Sequence, residues 1–309
     1  MLIAGIDEAG YGPRLGPLCV GFAAFEVPGE PASPPDLWAL LGPDVGRWAD
    51  RKAATLLVDD SKKLKRSGAR PLRELERSAT AHLAQLGVDA ETDVDALTAL
   101  GVEAPATRLG ALGLSEDAPA RGIAANVLRG RLNSAGVRLE ALGVEAASAA
   151  RFNDLWRRTR SKAQMELEMI APRLRWVWER SEGGAVVSLD RLGGRTRYLA
   201  ALGAAVPGAE IDEVSREDDR VVCRLCAPGR EMLVEVLVGG DGRRYTTALA
   251  SVIAKWSREL VMERFNRAFG ELAPELKPTA GYGTDANRWI REAREQLGRD
   301  VVDPLVRLA

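Results

Sequence analysis

Two adjacent acidic residues, Asp7 and Glu8, end a short apolar run near the start of the chain. Neighbouring side chains on a strand point to opposite faces, so a strand ending here can direct Asp7 into a cleft while Glu8 sits at the turn. The loop that follows is rich in glycine and proline, and small residues let a bulky partner approach the backbone. Two carboxylates beside such a loop suit a Mg²⁺ site that works on phosphates, although a solvated strand end entering a turn gives the same pattern.

Two later strands of the sequence also end at acidic residues. The apolar run 184–190 ends at Asp190, and the strand-like run before Gly239 is followed by Asp241. Strand ends of a mixed α/β sheet meet at one edge, where clustered carboxylates repel one another unless cations neutralise them. Divalent ions that prefer oxygen ligands are the natural counterions, and two of them can promote phosphodiester hydrolysis without any histidine.

The composition describes an ordinary soluble globular protein. The 309 residues are 46% apolar and 28% charged, with a net charge of −1, which suits one large domain or a domain with a sizeable insertion. No run is long enough to span a membrane and no signal peptide precedes the first strand. We therefore expect a cytoplasmic monomer without membrane contacts.

Histidine and cysteine chemistry is limited in this sequence. The only histidine, His82, lies in an alanine- and leucine-rich helical stretch, so catalysis must rest mainly on carboxylates, metal and lysine. Cys223 and Cys226 have a Cys-x-x-Cys spacing, but the chain offers too few further ligands for a tetrahedral zinc site. We interpret this pair as two small residues in a strand.

The elements that would position the acids follow from hydrophobic periodicity. Residues 87–150, rich in alanine, glycine and leucine, favour an inserted helical segment. The pattern predicts two strands within 1–27, further strands at 184–190, 209–215, 219–226 and 231–238, and helices at 70–86, 152–170 (ended by Pro172) and 246–269.

Four ordered motifs resemble the signatures of the type 2 ribonucleases H, ribonuclease HII and ribonuclease HIII. They are Gly5-Ile6-Asp7-Glu8-Ala9-Gly10-x-Gly12-Pro13-x-x-Gly16-Pro17, then Asp60-Ser61-Lys62-Lys63-Leu64, then Gly240-Asp241 with Ala248-x-Ala250-Ser251-x-Ile253-Ala254-Lys255-x-x-Arg258, and finally Gly281-Tyr282-Gly283-Thr284. They extend over most of the chain, and the first and third are the most specific.

The resemblance implies a ribonuclease H-like α/β fold, a mixed sheet flanked by helices. It implies a catalytic domain at 1–270, with the insertion at 87–150, and a helical extension at 271–309 packed on it. It also implies hydrolysis of the RNA strand of RNA/DNA hybrids to 3′-hydroxyl and 5′-phosphate ends. The catalytic and metal-binding residues for two Mg²⁺ or Mn²⁺ ions would be Asp7, Glu8, Asp190 and Asp241.

The same resemblance assigns the substrate contacts. Lys62 and Lys63 would meet phosphate oxygens, and Tyr282 would stack against a sugar near the cut. Ser251 and Lys255, one helical turn apart, would brace the site, although a purely structural role is equally open. The complete set of expected substrate-binding residues is Gly10, Tyr11, Gly12, Ser61, Lys62, Lys63 and Tyr282.

Tyr11 departs from the ribonuclease HII pattern, which has arginine in a Gly-Arg-Gly loop that reads the 2′-hydroxyl at an RNA–DNA junction. The flanking Gly10 and Gly12 remain, so readout by the backbone is possible, and Tyr11 could stack on a base or sugar. The departure leaves open a nuclease of this fold with another nucleic-acid substrate. A non-catalytic nucleic-acid-binding relative is a second alternative, and a carboxylate-dependent sugar hydrolase is a third that leaves the other motifs unexplained.

Overall fold

A computed structural model of the chain describes residues 1–104, 109–193, 195 and 197–308. The strands in this part are β1 (Leu2–Ala9), β2 (Leu18–Glu26), β3 (Val45–Gly46), β4 (Leu56–Leu57), β5 (Arg138–Ala147), β6 (Ala185–Asp190), β7 (Glu210–Arg216), β8 (Arg220–Ala227) and β9 (Arg230–Leu237). Seven of them form one sheet in the order β5-β2-β1-β6-β9-β8-β7, while β3 and β4 form a small parallel pair.

The centre of the sheet is parallel and its flanks are antiparallel. β1, β6 and β9 run side by side in the same direction. β2 and β5 continue the sheet in antiparallel fashion on one side, and β8 and β7 do so on the other. The carboxyl ends of β1, β6 and β9 therefore meet at one edge, where residues after the strands can converge.

Helices cover both faces of the sheet. One hydrophobic core contains residues of β1, β2, α1, α3, α4, α5 and α9, and a second, on the opposite face, contains residues of α6, α7 and α8. The expected mixed α/β sheet flanked by helices is thus confirmed. The helices are α1 (Leu37–Leu41), α2 (Ser61–Leu64), α3 (Arg73–Leu83), α4 (Asp93–Ala99), α5 (Ala118–Ala135), α6 (Ala149–Thr159), α7 (Lys162–Trp178), α8 (Leu199–Ala205), α9 (Tyr245–Leu272), α10 (Gly283–Leu297) and α11 (Arg299–Val302), with 3₁₀ turns at Trp48–Asp50, Ala84–Leu86, Ser181–Gly183, Gly240–Gly242 and Asp303–Leu305.

The long helix α9 lies directly against β1 and β2 because two glycines leave room for its backbone. A Cβ at Gly5 would stand 2.1 Å from the carbonyl carbon of Thr246, and one at Gly21 would stand 2.1 Å from the carbonyl oxygen of Ala250. No side chain fits at either position. This close approach brings Ser251 next to the end of β1.

The segment 87–150 is helical only in part. α4 and α5 lie within it, but residues 138–147 form β5, which pairs with β2 along its whole length. The stretch contains the helix formers leucine, glutamate and alanine, and its partner strand overrides that local preference. Residues 105–108 of this segment lie outside the described residues.

The single helix expected at 152–170 is wrong in its bounds. The chain instead forms α6 and α7, separated at Arg160, whose φ of 52° is left-handed, and Ser161 caps the second helix. Pro172 lies inside α7 rather than ending it. Buried Leu174 and Val177 pack beyond the proline, and this tertiary packing maintains the helix although proline supplies no backbone N–H.

The C-terminal region forms its own small core around Trp289 and Ile290, and Leu15 of the glycine-rich loop is buried in it. The chain after Pro304 returns to that same loop, where the Arg307 backbone N–H donates to the Arg14 carbonyl at 2.9 Å. Ala309, the last residue of the expected extension, lies outside the described residues. Among the described helices, none combines the length and the apolar character needed to cross a membrane.

Candidate acidic site at the sheet edge

Four acidic residues meet at the carboxyl edge of the three parallel strands. Asp7 and Glu8 are near the end of β1, Asp190 is the last residue of β6, and Asp241 lies in the 3₁₀ turn after β9. Alternation along β1 sends Asp7 toward α9 and Glu8 toward α7. The four carboxyls interact electrostatically, since Glu8, Asp190 and Asp241 each raise the pKa of Asp7.

Asp7 is the most buried of the four, with 7% of its surface exposed. Burial is the main cause that raises its pKa well above the usual range, and the neighbouring Glu8 is the next. A hydrogen bond from the Ser251 side chain acts in the opposite direction. The Ser251 and Ser61 hydroxyl oxygens lie 3.0 Å apart and are hydrogen-bonded, so Ser251 links Asp7 to the start of α2.

Asp190 and Asp241 are connected through the backbone of the turn. The Gly240 N–H donates to Asp190 Oδ1 at 2.9 Å, which fixes the turn that carries Asp241. Burial raises the pKa of Asp241 to about 6, with Asp60 and Asp190 adding to the shift and Lys62 opposing it. Asp60, which caps α2, is therefore a further acid beside the site.

A fifth acid, Glu166 of α7, lies beside Glu8 and was missed by sequence reasoning. Burial raises the pKa of Glu166 to about 9, and repulsion by Glu8 and then Asp190 adds to the shift. Burial and Asp190 likewise raise the pKa of Glu8. A signal was available, because Glu166 occupies the same helical face as Ile170 and Leu174, where a core residue would be expected.

The glycine-rich loop lies next to the acids, and two arginine side chains contact its backbone. Gly10 has φ +89°, and a Cβ there would stand 2.8 Å from the Arg258 side chain. Arg307 donates to the Gly10 carbonyl at 2.6 Å and to the Tyr11 carbonyl at 3.1 Å. No local pattern marks Arg307 in the sequence, since its partners are almost the whole chain away. Gly12 is exposed and has open space around it.

Tyr11 is half-buried and leans toward the loop after β6. A Cβ at Gly193 would stand 2.5 Å from the Tyr11 hydroxyl, so the ring packs against the backbone there. The Lys162 ammonium lies 5.3 Å from the centre of the ring. Burial, Glu166 and Glu8 raise the pKa of the Tyr11 hydroxyl. The loop thus has an aromatic side chain facing the acids.

Tyr282 lies at the start of α10 with 40% of its surface exposed. The guanidinium of buried Arg258 lies 4.7 Å from the centre of its ring, and the Lys255 ammonium lies 6.0 Å from it. Lys255 also pairs with Glu259 at 2.7 Å, so it supports the region of Tyr282.

The basic residues expected near the substrate differ in their availability. Lys63 pairs with Asp59 at 2.9 Å, whereas exposed Lys62 forms no salt bridge within the described residues and lowers the pKa of Glu8 and Asp241. Arg243, a further basic residue after β9, pairs with Asp219 between β7 and β8 at 2.7 Å. Lys62 is therefore the basic side chain most directly oriented to the acids.

The histidine and the cysteine pair take no part in this site. His82 is buried and hydrogen-bonded to the Tyr245 hydroxyl at 2.8 Å. Cys223 is buried and Cys226 partly buried on β8, and both are free thiols. These positions fit the interpretation of small strand residues.

The carboxyl groups of the acids lie close together, but their oxygens do not surround a common point where a cation could bind. Within the described residues, no group of three or more histidine, cysteine, aspartate or glutamate side chains is arranged so that it could already hold a metal ion. The donor chemistry nevertheless fits a hard divalent cation, since all candidate ligands are carboxylates and mutual repulsion and burial disfavour their charged forms.

No protein-family model and no curated protein matches this chain. Among solved structures, the ribonuclease H2 from Pyrococcus horikoshii OT3 is 17% identical with a TM-score of 0.46, over 99% of this chain and 92% of that one. The PCNA:RNase HII complex from Archaeoglobus fulgidus matches at 17% identity and a TM-score of 0.45, and the match covers 100% of this chain and 94% of that one. Bst-RNase HIII in complex with Mn²⁺ matches at 15% identity and a TM-score of 0.46, and the match covers 100% of this chain and 66% of that one. Similarity at this level does not show the role of any residue in this chain. The candidate site is therefore inferred from the positions of its own residues.

Proposed function

We propose that this chain is a metal-dependent endonuclease that hydrolyses the RNA strand of RNA/DNA hybrids. The observation that carries the proposal is the meeting of Asp7, Glu8, Asp190 and Asp241 at the edge of three parallel strands, beside a glycine-rich loop. The four sequence motifs that resemble type 2 ribonucleases H supply the substrate class.

The acids would hold Mg²⁺ or Mn²⁺, with Asp7 and Asp241 as the most direct ligands and Glu8 and Asp190 completing the set. When bound, these cations supply the positive charge that activates water and neutralises the phosphate. Without them, the clustered carboxylates would repel the nucleic-acid backbone. A protein that only bound nucleic acid would gain nothing from such a cluster.

The surrounding residues orient the acids and the substrate. Ser251 holds Asp7 by a hydrogen bond that favours the charged carboxylate, which is the form that binds a cation. The Gly240 N–H fixes Asp190. Lys62, exposed beside the acids, would contact a phosphate oxygen of the scissile strand.

Recognition of the RNA strand would fall to the glycine-rich loop and Tyr282. The exposed ring of Tyr282 can stack against a sugar. The backbone of Gly10 and Tyr11, held by Arg307, can meet a 2′-hydroxyl, the group that distinguishes RNA from DNA. Tyr11 has a neutral side chain, so it adds no charge to that readout, and its ring packs against Gly193.

A panel of labelled duplexes tests the proposal: a full hybrid, a four-ribonucleotide substrate, a single embedded ribonucleotide, double-stranded RNA and double-stranded DNA. We expect cutting of the full hybrid and the four-ribonucleotide substrate with Mg²⁺ or Mn²⁺. Asp7→Asn and Asp241→Asn should each abolish it while the protein stays folded. The matched control is Asp212→Asn, which changes an exposed acid of β7 that pairs with Arg224.

The outcomes separate the site from the substrate. Undiminished cutting by Asp7→Asn or Asp241→Asn would overturn the site assignment. Cutting of the DNA duplex would overturn the substrate class and favour a nuclease of another specificity. Tyr11→Arg on the same panel tests the loop argument, which fails if the parent protein already cuts efficiently at a single embedded ribonucleotide.

A further inference from the structure

Glu166 is a buried carboxyl group without a partner. Only 1% of its surface is exposed, and neither of its side-chain oxygens has a hydrogen-bond partner. Buried polar groups are normally hydrogen-bonded, and an isolated buried carboxyl is costly to maintain. Glu166 lies in the middle of α7, beside the second hydrophobic core, where an unpartnered carboxyl destabilises the fold. We therefore expect the residue to have a functional role.

The carboxyl of Glu166 faces the acidic site. Glu166, Glu8 and Asp190 line one narrow cavity together with Asp7 and with apolar residues of β1, β2, β6, α7 and the loop after β6. The cavity is too narrow to admit a water molecule, so solvent does not supply the missing partner. Four acidic residues thus line a confined space between the sheet and α7, and Glu166 is the one that α7 contributes.

Within the described residues, neither Glu166 nor Glu8 nor Asp190 forms a salt bridge. Lys162, one helical turn before Glu166, is the nearest candidate. Its ammonium instead lies 5.3 Å from the centre of the Tyr11 ring. Lys162 lowers the pKa of Glu166, but burial and repulsion by Glu8 and Asp190 outweigh that attraction. A further positive charge would therefore stabilise these carboxylates.

We propose that Glu166 is a fifth acidic residue of the site and ligates a divalent cation together with Glu8 and Asp190. This inference rests on the proposed function and extends it, because it assigns a metal ligand on the α7 side of the sheet. The three carboxyls are not yet converged, so binding would turn them toward one cation. Carboxylate oxygens are the ligands that suit Mg²⁺ and Mn²⁺ in proteins.

The test is a calorimetric titration of the metal-free protein with Mn²⁺, comparing the wild type with Glu166→Gln. Glutamine keeps the size of the side chain and removes the carboxylate. We expect the affinity of one Mn²⁺ equivalent to fall by at least about tenfold, the loss seen even when an outer partner of a metal ligand is disturbed. Glu168→Gln is the matched control, since Glu168 lies on the same helix but pairs with Arg158 at 2.6 Å. It should bind Mn²⁺ like the wild type.

Each result decides between the two proposals. Wild-type Mn²⁺ affinity and stoichiometry in Glu166→Gln would overturn the role of Glu166 and leave the proposed function standing. No Mn²⁺ binding by the wild type would overturn both. Glu166→Asp guards against a folding defect, because it retains a carboxylate on a shorter side chain. It should bind Mn²⁺ more tightly than Glu166→Gln, and equal binding by the two variants would count against ligation.

Discussion

Replacement of Glu166 by glutamine should remove part of the pH dependence of stability from the metal-free protein. The pKa of Glu166 is about 9 in the folded chain, against 4.5 for an unperturbed glutamate. Between these values the folded protein keeps a proton that the unfolded chain releases. Stability therefore falls as pH rises through this window, and below it the penalty is absent.

The magnitude follows from the linkage relation. One proton of difference corresponds to about 1.4 kcal/mol per pH unit. From about pH 5.5 to about pH 7.5 the wild type should lose roughly 3 kcal/mol of unfolding free energy through the titration of Glu166. Glu166→Gln carries no titrating proton, so this contribution disappears. The variant should also be more stable than the wild type near neutral pH.

Urea unfolding at several pH values in the presence of a chelator measures this difference. The pH dependences of the two proteins are compared, because Asp7 and Asp241 also have raised pKa values and contribute to both. Glu168→Gln should retain the wild-type dependence. Parallel stability curves for the wild type and Glu166→Gln would refute the reasoning, since they would mean that Glu166 ionises alike in the folded and unfolded chains.

Three other substitutions test how the site is positioned. Ser251→Ala removes a hydrogen bond that lowers the pKa of Asp7, so the rising limb of the cleavage pH profile should move to higher pH; an unchanged profile would contradict this. Gly21→Ala places a Cβ 2.1 Å from the Ala250 carbonyl oxygen, so the free energy of unfolding measured in urea should fall by about 1–3 kcal/mol or more. A variant as stable as the wild type would argue against the close approach of α9 to β2. Arg307→Ala removes hydrogen-bond donors to two carbonyls of the glycine-rich loop. We expect KM for the hybrid to rise by a larger factor than kcat falls. A loss of kcat with unchanged KM would mean that Arg307 acts on the acids and not on substrate binding.

The meeting of the acids was predictable because it follows from strand direction. A strand that ends in an acid, repeated at Asp7, Asp190 and Asp241, requires only that the strands be parallel neighbours, and β1, β6 and β9 are. The alternation along a strand likewise separated Asp7 from Glu8. These are local rules that need no knowledge of distant partners.

The features that sequence reasoning missed depend on distant partners. Residues 138–147 favour a helix by composition and become a strand because β2 needs a neighbour. Arg307 acts on a loop almost the whole chain away. The position of Glu166 on the apolar face of its helix can be seen in the sequence, but only the packing of α7 against the sheet shows that its carboxyl meets Glu8 and Asp190.

The central claim is that the acids promote attack by water on the phosphate of the RNA strand, and the chemistry of the cut ends tests it most directly. A hybrid with labelled RNA is incubated with the protein and Mn²⁺, with and without a chelator, and the product termini are mapped. We predict 3′-hydroxyl and 5′-phosphate ends, formed only without the chelator and not by Asp7→Asn. Ends carrying a 2′,3′-cyclic phosphate would mean attack by the RNA's own 2′-hydroxyl, and cutting that persists in the chelator would mean that no cation is needed. Either result would contradict the account.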